Sequence, residues 1–119
     1  MANLPYKTRK LIWIGDSKEL LSSFPIDVKK VFGFALRLVQ NGITPEIAKP
    51  LTGFDIGVYE LKTNSTGNTY RTVYVVKLKK AVYVIDAFIK KSTKGNKTPK
   101  QVRERLNERI QCACELDKE

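Results

Sequence analysis

The chain contains no histidine, and that absence limits its chemistry more than any residue it does contain. It removes the Ser-His-Asp and Cys-His mechanisms, the two-histidine ribonuclease mechanism and every metal site that needs imidazole. Proton transfer near neutral pH then falls to a displaced Lys, Tyr, Asp or Glu, or to the setting of the substrate itself. Cys112 and Cys114 form a C-x-C pair. Two thiols do not complete a tetrahedral zinc site, and this spacing suits a disulfide poorly. They read as reduced thiols on a helix, one buried and one not. Cations are what the chain has in excess. From Lys62 to Arg105 there are twelve Lys or Arg and only Asp86 and Glu104 as acids. That stretch carries the whole formal charge of +10, and the rest of the chain sums to zero. Charge segregated in this way implies a polyanionic partner, nucleic acid being the commonest. A solvated basic loop at Lys90–Lys97 and an acidic protein partner are the two other readings of the same charge.

These residues need elements to position them. Thr8 to Ile14 reads as a first strand closed by Gly15. Asp16-Ser17-Lys18-Glu19 has the form of a capping box and opens a short helix to about Ser23, which Pro25 interrupts. A second helix runs from about Ile26 to Asn41, with Val28, Val31, Phe32, Ala35, Leu36 and Val39 on one apolar face and Asn41-Gly42 as its stop. Thr44-Pro45 reads as a further short helical turn. Three strands follow: Gly57 to Asn64, Tyr70 to Leu78 and Ala81 to Ile89. The last two are joined by a tight turn at Lys79-Lys80. Thr98-Pro99-Lys100-Gln101 opens a last helix that runs from Pro99 to about Leu116. Its apolar stripe is Val102, Leu106, Ile110 and Ala113 with Cys114, while Arg103, Arg105 and Arg109 point elsewhere.

This order predicts an α+β layer: an antiparallel sheet of about four strands, two N-terminal helices on one face, and a C-terminal helix. Strand alternation places Ala81, Tyr83, Ile85, Ala87 and Ile89 on the core side of the third meander strand. It places Glu60, Lys62, Arg71, Asp86, Phe88 and Lys90 together on the sheet face away from the helices. At 119 residues, 42% hydrophobic and 29% charged, the chain reads as one domain, residues 1–119, without need of a metal or disulfide staple. No apolar run approaches the roughly 18 residues of a membrane span. The N-terminus lacks the pattern of a secretory signal, so a cytoplasmic protein with no membrane role is expected.

Four short motifs now stand in order: Gly57-Val58-Tyr59-Glu60-Leu61-Lys62; Tyr70-Arg71 followed by Val73-Tyr74; Val84-Ile85-Asp86-Ala87-Phe88-Ile89-Lys90-Lys91-Ser92; and Lys97-Thr98-Pro99. Together they resemble the RelE/HigB-like toxin superfamily, in its phage-derived branch, over about Leu51 to Arg109. The resemblance implies a microbial-RNase-like α+β fold. It implies a cytoplasmic, metal-independent endoribonuclease of a type II toxin–antitoxin pair that cuts mRNA on the ribosome and so inhibits translation. No cofactor is implied. The implied partners are a cognate antitoxin, usually of helix-turn-helix type, and ribosome-bound mRNA.

RNA self-cleavage needs a base for the 2′-OH, positive charge on the pentavalent phosphate and an acid for the leaving 5′-oxygen. By motif position the resemblance carries over Lys62 as base or phosphate ligand, Arg71 as transition-state clamp, and Lys90 and Lys91 as backbone-positioning cations. Phe88 would stack on a base, and Lys77, Lys94, Lys97 and Arg103 would add RNA contacts. Asp86 departs from the pattern, which has a histidine there. An anion beside a phosphate is repulsive unless it serves as a base, so Asp86 either works as one, orients Arg71 or Lys62, or marks reduced activity. The alternative function is a non-catalytic basic RNA- or ribosome-binding module on the same scaffold. A third is a phage-derived protein whose basic face binds an acidic protein.

Overall fold

The computed structural model describes residues 8–90 and 100–119. Its elements run β1 (Lys10–Trp13), α1 (Ser17–Ser22), α2 (Ile26–Gln40), β2 (Ala48–Pro50), β3 (Val58–Ser65), β4 (Asn68–Val75), β5 (Ala81–Lys90) and α3 (Lys100–Lys118). The five strands form one sheet in the order β1-β5-β4-β3-β2. The expected sheet of about four antiparallel strands is thus corrected on two points. β1 pairs in parallel with β5, which makes the sheet mixed. The segment after Thr44-Pro45 turns once and becomes β2 rather than a helix, held by antiparallel pairing to β3.

The hydrophobic core has two layers because the sheet is covered on both sides. Phe24, Phe32 and Leu36 of the N-terminal helical region pack with Leu61, Tyr70, Tyr74, Val82 and Val84 on one face. Leu106, Ile110 and Ala113 of α3 pack with Val58, Val73, Val75, Tyr83 and Ile85 on the other. Apolar residues at the spacing of a helical stripe direct each helix to its face. The expected α2 stripe is buried except for Val31, which is 38% exposed. α2 stops after Gln40 in a Schellman arrangement: the Gly42 and Ile43 amides donate to the carbonyls of Val39 and Leu38.

A β-bulge organises the centre of the sheet. Val73 pairs with Asp86 but Tyr74 pairs with Val84, so Ile85 is one residue too many on β5. The extra residue reverses the alternation. Before it, Val82 and Val84 face the N-terminal helices; after it, Ala87 does. The expected single core side of Ala81, Tyr83, Ile85, Ala87 and Ile89 therefore does not exist. The predicted set of Glu60, Lys62, Arg71, Asp86, Phe88 and Lys90 still shares one face, since from β5 it takes only residues beyond the bulge. That face is not away from the helices: α3 packs on part of it, and Asp86 and Glu60 are buried there.

Three local expectations are also corrected. Asp16 caps α1 without a side-chain hydrogen bond, because its carboxylate is drawn to Arg109 of α3 at 2.5 Å. That hydrogen bond holds its pKa below the usual carboxylate range. Gly15, at φ +57°, allows this approach, since a Cβ there would meet the Arg109 guanidinium at 3.0 Å. The β4–β5 connection is five residues, 76–80, rather than a tight turn at Lys79-Lys80. Arg9 donates to the carbonyls of Val76, Leu78 and Ala81 from one side, and Asp117 accepts the Lys79 and Lys80 amides from the other. Finally, Arg105 and Arg109 do not point away from the sheet; both turn into it. The Thr98-Pro99 cap lies outside the described residues, and Cys112 is exposed with Cys114 half-buried.

Candidate functional site

β3 and β4 are joined through Thr66 and Gly67, which both have positive φ (+47° and +82°). That is the geometry of a two-residue hairpin turn whose twist matches its strands, and it fixes the register of everything beside it. On the face opposite α2 three cross-strand rows result. Glu60, Val73 and Asp86 form the first, Lys62, Arg71 and Phe88 the second, and Asn64, Thr69 and Lys90 the third. The predicted grouping of Lys62, Arg71, Phe88 and Lys90 on one face is therefore what the strands produce. α3 covers the far half of this face, over Val58, Val73 and Val75.

An ion pair joins the first and second rows. Arg71 Nη1 lies 2.5 Å from Glu60 Oε1, and the two side chains are only 11% and 9% exposed. The pair is incompletely satisfied: Glu60 Oε2 and Arg71 Nε are both buried without a partner among the described residues. Such groups are costly to leave unmade and are poised to accept a further contact. Lys62 is exposed and Phe88 half-buried. Burial, with Arg71 and Lys62 close by, lowers the Lys90 pKa below 10.5, and Glu60 partly offsets this. Glu60 is the residue to which the sequence assigned no role. The available signal was its alternation with Lys62, one row from Arg71.

Asp86 lies elsewhere in function although it shares the face. It is fully buried. Its Oδ2 accepts Arg105 Nε at 2.7 Å, and its Oδ1 accepts the Ala87 amide at 2.8 Å and Arg109 Nη1 at 3.2 Å. Arg109 also donates to the Ile85 carbonyl at 3.1 Å, so one guanidinium serves both the bulge and the carboxylate inside it. Asp86 orients neither Arg71 nor Lys62, and it presents no surface to a substrate. It fastens α3 to the sheet.

The remaining candidates are not brought to this row. Lys77 lies beyond the opposite end of β4, six residues or roughly 20 Å along the chain from Arg71, with its stem against Gly57. Arg103 donates to the Thr52 carbonyl at 2.7 Å and lies 5.0 Å over the Phe54 ring. Lys91, Lys94 and Lys97 lie outside the described residues. The basic stretch is therefore divided by the fold: Lys77, Lys79 and Lys80 sit at one end of the sheet, Lys62, Arg71 and Lys90 at the other. Among the described residues no cluster of His, Cys, Asp or Glu has the form of a metal site, and no helix is long and apolar enough to cross a membrane.

Residues 19–111 match the family described as phage-derived protein Gp49-like (DUF891), and the chain belongs to it. The match spans both helical layers and all three rows. No curated protein matches the chain.

Proposed function

We propose that this Gp49-like protein is the toxin of a type II toxin–antitoxin pair, acting as a metal-independent endoribonuclease on ribosome-bound mRNA. The observation that carries this reading is one carboxylate, Glu60, set among three cations, Arg71, Lys62 and Lys90, on a single sheet face. Phosphodiester cleavage by a neighbouring 2′-OH asks for that combination. Glu60 Oε2 has a lone pair to take the 2′-OH proton as O2′ closes on phosphorus. Arg71 turns its guanidinium from Glu60 to the equatorial phosphate oxygens, where two parallel hydrogen bonds stabilise the added charge. Lys90, its pKa already lowered, is a better acid than an ordinary lysine and gives a proton to O5′ as the P–O5′ bond breaks. The products are a 2′,3′-cyclic phosphate and a 5′-hydroxyl. Lys62 holds an adjacent phosphate, and Phe88 offers a ring edge to a base.

The non-catalytic alternative has one observation in its favour: the Glu60–Arg71 pair is already closed, which suits a rigid binding face. Induced expression followed by mapping of mRNA 5′ ends on ribosomes decides between them. Cleavage predicts growth arrest with new 5′-hydroxyl ends, both abolished in Glu60→Gln. Ribosome binding and growth arrest without new ends would overturn catalysis. If about five phosphates are contacted on a single strand, affinity should fall with salt at a log–log slope near −3.5. A slope near zero would remove RNA altogether.

A further inference from the structure

The edge strand β2 brings one more cation to the face that carries Glu60 and Arg71. Alternation along its three residues turns Ala48 to the α2 side, where it packs on the core, and Lys49 to the other. The register agrees: Lys49 is the Cα partner of Glu60, which in turn is the partner of Val73. The Lys62 amide donates to the Ile47 carbonyl at 3.3 Å, and the Leu51 amide to the Val58 carbonyl at 2.8 Å. Lys49 and Glu60 stand midway between these two pairs. They are therefore a hydrogen-bonded pair of the ladder, with Cα atoms about 5.5 Å apart and side chains leaving the sheet on the same side.

Glu60 thus has a cation on each neighbouring strand but is joined to only one of them. Its Oε1 is held by Arg71 Nη1 from β4, and its Oε2 has no partner among the described residues. Lys49, on the other side, is exposed and makes no ion pair among the described residues. The cleavage reading asks Arg71 to leave Glu60 for a phosphate. A carboxylate only 9% exposed would then stand without its counter-charge, which is costly in a setting so poor in water. Lys62 is less well placed to replace Arg71, being two residues along β3, roughly 7 Å away, and in the row that faces the phosphate. Lys49 is directly across from Glu60, and its long stem ends in a charge that nothing else holds.

We infer that Lys49 is the reserve counter-ion of Glu60: as Arg71 swings to a phosphate, the Lys49 ammonium takes its place at Oε1 and leaves Oε2 for the 2′-OH. This rests on the reading of these rows as a cleavage site. Lys49 touches no reacting atom in this scheme. It is a positioning residue that acts through Glu60, keeping a positive charge against the carboxylate while Arg71 is engaged elsewhere.

Two measurements on the full chain test it. The first is a double-mutant cycle in urea unfolding, which needs no RNA. Arg71→Gln removes the charge beside Glu60 but keeps a hydrogen-bond donor there. Lys49→Met should lower the folding equilibrium constant about tenfold more in that background than in the parent chain. Equal costs in the two backgrounds would overturn the proposal. The second is single-turnover cleavage of a labelled RNA. Lys49→Met should slow the rate at saturating protein about tenfold, with the half-saturating concentration unchanged within about twofold, and Lys49→Arg should restore the rate. An unchanged saturating rate with weakened binding would also overturn the proposal, making Lys49 a phosphate contact instead. A parent chain that cleaves no RNA would refute the cleavage reading, and the unfolding cycle would then decide by itself whether Lys49 takes over Glu60.

Discussion

Arg71 and Glu60 can be separated into a structural and a chemical contribution by one double-mutant cycle. Their side chains are 11% and 9% exposed and meet at 2.5 Å, so this is a buried pair and not a surface one. Removing one member of such a pair leaves an uncompensated charge and costs about 3–5 kcal/mol. Domains of this size are stable by about 5–15 kcal/mol in total. Arg71→Ala should therefore lower the thermal midpoint on the order of 10–20 °C, and its loss of activity would be ambiguous. Replacing both members with apolar residues of similar volume, Glu60→Leu with Arg71→Met, removes both charges together. It should return stability to within about 1.5 kcal/mol of the parent. That double variant should be folded, unable to cleave RNA, and weakened in RNA binding. Arg71→Lys keeps the charge but not the paired hydrogen bonds, so it should fold and lose about a hundredfold in cleavage rate, or roughly 3 kcal/mol. Urea unfolding and cleavage of a labelled RNA measure the two axes. A cost below about 1 kcal/mol for Arg71→Ala, with coupling below about 0.5 kcal/mol, would show the pair to be a surface contact. A folded double variant with full cleavage would move the site off these rows.

Three further outcomes follow from the same geometry. Asp86→His should destabilise the chain by several kcal/mol and loosen α3 without raising RNA cleavage, since it strips Arg105 and Arg109 of their buried anion (about 3–5 kcal/mol; urea unfolding and amide exchange of α3). Asp117 is pushed up by burial, but the Lys79 and Lys80 amides and the Tyr83 hydroxyl outweigh this and hold its pKa below 3.8. A depressed carboxylate contributes stability above its unfolded value and loses it as pH falls through the folded one, so Asp117→Asn should flatten the acid limb of a melting-temperature profile below about pH 4. Tyr83, held up at about 12 first by burial and then by its hydrogen bond to Asp117, should titrate somewhat earlier in that variant. Lys90 should titrate below 10.5 when followed by its ε-carbon shift, and Arg71→Met should move it back up, because the Arg71 charge is one cause of the lowering.

What the sequence made legible was local. The α2 stripe, the Asn41-Gly42 stop and the meander follow from 3.6- and 2-residue periods and from turn residues, all readable within a short window. β1 was legible as a strand but not as the parallel neighbour of β5, because its four residues specify no partner about seventy positions away. β2 has three residues, one of them proline, and is a strand only because β3 lies beside it. The α3 stripe showed that the helix packs but not on which face. The bulge at Ile85 was invisible because alternation counts residues, and a single inserted residue passes through the count unmarked.

The site was legible in its rows and not in its pairs, and the difference shows how the fold divides its charge. Asp86 lies 19 and 23 positions from Arg105 and Arg109, and no pattern of spacing links a strand carboxylate to two helix arginines. Once they meet, Asp86 and Asp16 balance Arg105 and Arg109, and that cluster contributes no net charge to the surrounding field. Arg103 is turned to Thr52 and Phe54, and the lysines of the 76–80 connection stand at the far end of the sheet. Among the described residues, a phosphate approaching the β3–β4 hairpin end would meet chiefly Lys62, Arg71 and Lys90, with Lys49 across from Glu60, against the carboxylate of Glu60. That is an excess of positive charge in a partly desolvated setting, where each interaction is stronger than in water. The anion within it does not cancel the attraction; it supplies the one acceptor that the cations cannot.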